Sequence, residues 1–148
     1  MADYVVKAKM LISFAQPLYA NWAAVAFADA SSPFIIGVIG DDSVAGKIES
    51  LAGKQTAGGR RITIRRARQA EELKGCHIVF IGKAENGRAG AILGAANTLT
   101  VSDADDFTQQ GGAIAFFMKG ERIRFHINSK AASRAGIDLT GRLLGAGE

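Results

Sequence analysis

With 148 residues, 48% of them hydrophobic and 22% charged, the chain has the composition of one globular domain and excludes disordered and collagen-like architectures. A domain of about 150 residues buries roughly 68–70% of the surface of its unfolded chain, enough for a self-sufficient core. Lys and Arg number 18 against 14 Asp and Glu, a net charge of +4, and the single cysteine, Cys76, excludes an intramolecular disulfide.

Met10 to Ala28 runs for 19 residues without a charge, near the ~20 a membrane helix needs. Gln16, Pro17 and Asn21 interrupt it, and each would be costly in lipid. Lys7 and Lys9 ahead of this run, with Ala26-Phe27-Ala28 behind it, give a faint likeness to a signal peptide, but the apolar piece from Met10 to Ile12 is too short for its hydrophobic core. Asp3 to Gln16 therefore reads as an amphipathic helix with a wide apolar face, broken near Pro17 and resumed as a second short helix through Asn21–Phe27. So wide a face suggests cover by the core and by a partner subunit, with Val5, Met10, Leu11 and Phe14 as candidate contacts.

After Ser31-Ser32-Pro33 the pattern becomes alternating strand and helix. Phe34 to Gly40 reads as a buried strand, Ser43 to Leu51 as a helix closed by Gly53, and Arg61 to Ala67 as a strand with Ile62 and Ile64 on one face. A short helix at Ala70–Lys74 leads to a buried strand at Cys76–Gly82, a glycine-bearing helix at about Glu85–Ala96, and a short strand at Leu99–Val101. Asp103 is placed to cap a brief helix ending near Gly111-Gly112. Ala113–Met118 and Arg122–Ile127 form a hairpin across Lys119-Gly120-Glu121, with Ile123, Phe125 and Ile127 inward. A helix near Ser129–Ala135 stops at Gly136, and a last turn carries Leu139, Leu143 and Leu144. This order predicts a single α/β domain over residues 1–148: a three-layer sandwich, with a mostly parallel sheet, an antiparallel C-terminal hairpin and helices on both faces.

Divided along the chain, the charge is three basic and five acidic groups in residues 1–50, nine and three in 51–100, and six and six in 101–148. The excess centres on Arg60, Arg61, Arg65, Arg66 and Arg68, with Lys54 upstream. Residues 54–75 hold no aromatic for stacking on bases, so the cluster reads as a strand edge and not as a nucleic-acid surface.

Gly37, Gly40 and Gly46 miss the dinucleotide spacing, and Asp41-Asp42 would repel a pyrophosphate. Asp41 and Asp42 with Asp103 or Asp105 could chelate Mg²⁺ and serve phosphotransfer, but helix capping accounts for them equally in kind and is the preferred reading. Cys76 and His77 are adjacent on a strand, so their side chains point to opposite faces and form no nucleophile–base pair. His126 faces outward between Arg124 and Asn128. Arg124, His126 and Arg142 could instead collect an anionic small molecule such as a nucleotide, the reading of a ligand sensor that feeds another membrane signalling protein.

Several segments together resemble the YfiR family, from about Tyr4 to Leu144. They are Ala26–Phe34 running into Gly40-Asp41-Asp42; Leu51-Ala52-Gly53-Lys54 with Gly58-Gly59-Arg60; Cys76–Ile81; Leu99–Asp103; Gly111–Ile114; and Arg122–Asn128 followed by Arg134–Ile137. The residues themselves lead to no expected cofactor, metal, nucleic-acid partner or membrane span, and the resemblance implies a non-enzymatic, secreted, dimeric periplasmic protein. Such a protein binds the periplasmic part of an inner-membrane diguanylate cyclase and holds it inactive, controlling cyclic di-GMP and biofilm formation. It also implies an OmpA-like outer-membrane lipoprotein that sequesters the repressor. Arg65 and Arg66 join the first-helix residues as candidate contacts. Relatives use cysteine pairs for redox-sensitive disulfides, which Cys76 alone could form only between chains. Met1-Ala2-Asp3 stands where the family has a signal peptide, so the sequence reads as a mature form with an added start.

Overall fold

The fold follows from where apolar periodicity changes from helical to strand-like. In the computed structural model, which describes residues 2–148 except for the side chains of Arg88 and Ala89, helix α1 spans Asp3–Phe14. It ends just before Pro17, whose ring and missing N–H cannot continue it. Strand β1 (Ala20–Trp22) and a 3-10 turn at Ala24–Ala26 follow, then β2 (Phe34–Ile39), α2 (Asp42–Ala52), β3 (Thr56–Ala57) and β4 (Arg60–Ala67). A 3-10 turn at Ala70–Leu73 precedes β5 (Ile78–Ile81), and a 3-10 segment at Lys83–Ala91 precedes β6 (Leu99–Ser102). The chain closes with β7 (Ile114–Lys119), β8 (Arg122–Ile127), α3 (Ser129–Arg134), β9 (Ile137–Leu139) and α4 (Gly141–Ala146).

The main sheet has the order β3-β4-β2-β5-β6-β7-β8, with β3 and β8 antiparallel edges on a parallel centre. Counted in chain order, the five parallel strands run 2-1-3-4-5, a doubly wound arrangement whose crevice is expected where the order reverses, between β2 and β5. Strands β1 and β9 form a separate antiparallel pair, Ala20 opposite Leu139 and Trp22 opposite Ile137.

Alternation along the strands sorts the core into two layers. Phe34, Ile36 and Val38 of β2, Ile78 and Phe80 of β5, and Leu99 and Val101 of β6 face all four α-helices. Val79 and Ile81 of β5 and Ala115 of β7 face the opposite way, against Leu73, Ile92 and Phe107. The predicted α/β sandwich is thus present, with α-helices on one face and 3-10 segments and turns on the other.

Several elements differ from expectation. The second helix predicted at Asn21–Phe27 is β1 plus a 3-10 turn, because pairing with β9 and a hydrogen bond from Trp22 Nε1 to the Asn97 carbonyl (3.0 Å) override weak local helicity. The helix predicted at Glu85–Ala96 is the 3-10 segment at Lys83–Ala91; its glycines each disfavour an α-helix by about 1 kcal/mol relative to Ala. No helix forms behind Asp103, whose carboxylate accepts from the Lys83 amide (2.7 Å) instead of capping its own segment. Strand β3 was not expected: Gly58 and Gly59, at φ +57° and +84°, supply the two left-handed residues that close a tight hairpin onto β4.

Candidate functional site

The first-helix residues divide by their position on α1. Leu11 and Phe14 are core residues, 0% and 3% exposed, so neither offers a surface to a partner. Phe14 stacks with Phe116 (6.1 Å) and packs edge-on to Phe125 (5.3 Å), tying the helix to β7 and β8. Val5 and Met10 are half-buried, and the exposed Tyr4 lies beside Val5 in sequence.

Three arginines of the cluster, Arg60, Arg65 and Arg66, make internal ties, while Arg61 is exposed. Arg65 and Arg66 project from opposite faces of β4. Arg65 donates to the carbonyls of Lys74 (2.7 Å) and Glu72 (3.3 Å), closing the end of a 3-10 turn. Arg66 pairs with Glu49 (2.6 Å) and, more loosely, Asp42 (3.8 Å) on α2. Arg60 donates to the carbonyls of Asp29 (2.8 Å) and Ser32 (2.9 Å), with its guanidinium 3.7 Å above the Phe27 ring.

Phe27 continues this tie inward, stacked on His77 at 4.3 Å. The His77 Nδ1 accepts from the Ile35 amide (3.0 Å), while Nε2 lies 2.9 Å from the Ala26 carbonyl. Accepting at Nδ1 leaves the proton on Nε2, so the ring is neutral and donates to Ala26. Burial pushes its pKa below the ordinary histidine value, with the Ala26 hydrogen bond opposing and the charges of Arg60 and Arg65 adding to the fall. The imidazole thereby fixes the connection between β1 and β2 against the sheet. Cys76 lies on the other face, 1% exposed, and burial pushes its thiol pKa up, outweighing the opposite pull of Arg65.

At the crevice between β2 and β5 the two backbones nearly touch. A Cβ on Gly82 would lie 2.5 Å from the Gly40 carbonyl oxygen, and the Glu85 side chain occupies the space over Gly40. Asp41 is the N-cap of α2, accepting from the Val44 amide (3.0 Å), as its spacing predicted. The four aspartates considered for Mg²⁺ are not brought together in a metal-binding group: among the described residues no three His, Cys, Asp or Glu side chains form one.

A different cleft, of about 350 Å³, opens further along the same end of the sheet, lined by Asp3, Lys7, Lys83, Asp103 and Asp105 over Phe116, Phe117, Met118 and Ile123. Its centre is the Lys7–Asp103 ion pair at 2.9 Å, with both side chains more than four-fifths buried. One Asp103 oxygen takes Lys7 and the other takes the Lys83 amide. Sequence reading missed this node because its partners lie 96 residues apart with no shared motif.

The three residues proposed for an anionic ligand fall into two places. Arg124 Nε reaches Glu148 (2.8 Å), and His126 Nδ1 lies 3.2 Å from the Glu148 carbonyl while its ring stacks on Phe117 at 4.1 Å. Lys119 Nζ completes the group at 2.8 Å from the same carboxylate. This lysine hydrogen bond is the main cause holding the Glu148 pKa below its ordinary value, with the Arg124 charge adding to it. Arg142 lies apart on α4, exposed.

These features define a doubly wound α/β domain in which Asp41, Arg60, Arg65, Arg66, His77 and Asp103 are committed to a cap, ion pairs and loop ties. Residues 4–148 match the YfiR/HmsC-like family, and the chain belongs to it. No curated protein matches it. No helix among the described residues is long and apolar enough to cross a membrane.

Proposed function

We propose that this chain is a non-enzymatic periplasmic regulator that binds the periplasmic part of an inner-membrane diguanylate cyclase and represses it. The observation that carries this reading is the family match across residues 4–148, a family tied to regulation of diguanylate cyclase signalling. The arrangement of reactive groups supports a binding role: the Cys76 thiol is buried, both nitrogens of His77 are bonded, and Asp41 and Asp103 hold backbone amides. A repressor of this type acts by fitting one state of its target better than the other. Contact falls to Tyr4, Val5 and Met10 on α1, in a homodimer that an OmpA-like lipoprotein sequesters. Deleting the gene should raise cellular cyclic di-GMP, and restoring the protein should lower it; an unchanged level in both strains would refute repression.

One observation favours a second reading as a sensor of small anions. Lys119 and Arg124 already hold a carboxylate, that of Glu148, beside the His126–Phe117 stack. An anionic ligand would displace Glu148, and salt-sensitive binding strengthened by Glu148→Gln is the corresponding test.

A further inference from the structure

Strand β4 is eight residues long, but β3 covers only its first two: Arg60 pairs with Ala57 and Arg61 with Thr56. From Ile62 to Ala67 no strand pairs with that side among the described residues, while the other side bonds in register to β2 from Phe34 to Ile39. At about 3.3 Å per residue this leaves roughly 20 Å of open edge. The two-residue Gly58-Gly59 loop makes Ala57 and Arg60 the closing hydrogen-bonded pair of the hairpin. By alternation, Ile62, Ile64 and Arg66 aim their backbone N–H and C=O groups outward, and Thr63 and Arg65 aim theirs at β2. Unpaired edges of this kind recruit another strand unless something blocks them.

We propose that this edge of β4 is a strand-addition site for an extended acidic segment of a partner protein. Charge selects the occupant: from Gly53 to Ala70 the chain carries six Lys and Arg and no acidic residue, and with Arg60, Arg65 and Arg66 held by internal partners it is Lys54 and Arg61 that meet an incoming carboxylate. Lys54 and Arg61 are exposed, and they line a cavity of about 490 Å³ with Ala52, Thr56 and Ile62 beside the start of the open edge. A side chain of the added strand enters that cavity while its carboxylates meet Lys54 and Arg61. A second copy is the poorer occupant, because antiparallel β4–β4 pairing sets two wholly basic segments side by side. Main-chain hydrogen bonds supply the affinity of such an addition and the flanking charges its selectivity. The proposal goes beyond the regulatory reading and rests on the edge itself, so it stands or falls whether or not the partner is a diguanylate cyclase.

The probe is a peptide of about ten residues alternating Glu with Val or Thr, and the control is a peptide of equal charge with prolines at alternate positions, which cannot complete a ladder. Fluorescence anisotropy should show saturable binding of the probe, about tenfold or more tighter than the control. Hydrogen exchange at the amides of Ile62, Ile64 and Arg66 should slow on saturation, while those of β8 stay unchanged. The paired change Lys54→Glu and Arg61→Glu, on exposed side chains, should weaken the probe by about tenfold or more without altering the melting temperature. Equal binding of probe and control, or no added protection on β4, would overturn the proposal. So would protection of the same amides in the peptide-free protein that grows with its concentration, which would give the edge to a second copy.

Discussion

Replacing His77 by alanine isolates the tie between the β1–β2 connection and the sheet. The substitution removes two hydrogen bonds, leaving the Ile35 amide and the Ala26 carbonyl without their partner, and deletes the ring stacked on Phe27. Each hydrogen bond contributes about 0.5–1.5 kcal/mol net. The stack adds about 0.5–1.5 kcal/mol. The expected loss is therefore about 2–4 kcal/mol, or roughly 5–15 °C in Tm at the about 2–4 °C per kcal/mol of a domain this size. Thermal melts followed by circular dichroism near neutral pH measure it, and His77→Phe, which keeps an aromatic ring but neither hydrogen bond, should fall between the two. The pH dependence has a defined sign. Because the folded pKa of His77 is lowered, the unfolded chain binds the extra proton first on acidification. Stability should therefore fall as pH drops through about 6.5 towards the lower folded value, and both His77 variants should lose that component. Asp29 and Glu148, whose pKa values are lowered, contribute above the ordinary carboxylate range and lose their contribution only in stronger acid. A His77→Ala protein within about 0.5 kcal/mol of wild type, with an unchanged slope between pH 7.5 and 5.5, would refute the account of this tie.

Three other perturbations follow from the packing. Gly82→Ala should destabilise by about 1–3 kcal/mol in urea unfolding, because its methyl meets the Gly40 backbone, whereas Gly53→Ala, in helical conformation with open space around it, should be neutral or stabilise by about 0.4–1 kcal/mol. A double-mutant cycle on Lys7→Met and Asp103→Asn should give a coupling of about 1–3 kcal/mol, since the pair is mostly removed from water; a coupling near zero would show that the pair is not a structural node. Cys76 should react with a thiol reagent only on unfolding, and oxidation should yield no reducible dimer of the folded protein; rapid labelling of the native chain would contradict its burial.

The parallel sheet was legible because its strands are short apolar runs: Phe34 to Ile39 and Leu99 to Ser102 lie within a residue of the predicted bounds, whereas β5 begins at Ile78, two residues after the predicted start, so that Cys76 and His77 precede the strand. The β7–β8 hairpin was equally legible from the alternation of Ile123, Phe125 and Ile127. Features that depend on distant partners were not. Asn21–Phe27 looks helical until β9, more than 110 residues later, pairs with Ala20–Trp22. The breadth of the apolar face of α1 suggested a partner surface, but Leu11 and Phe14 are consumed by the core, leaving the outer residues for contacts. The arginine run and its division between the two faces of β4 were legible from the strand's period of two, but its carbonyl and ring partners carry no sequence signal. The Glu148 carboxylate beside Arg124 and Lys119 was missed for the same reason, whereas the Asp41 cap was visible because its partner lies three residues away.

The most direct test of the regulatory reading is a calorimetric titration of this protein into the purified periplasmic part of the diguanylate cyclase from the same cell, followed by cyclic di-GMP synthesis in membranes holding the intact cyclase. Saturable binding with a fall in cyclic di-GMP output on addition of the protein is the predicted result. Absence of binding, or binding that leaves cyclase output unchanged, would contradict the account.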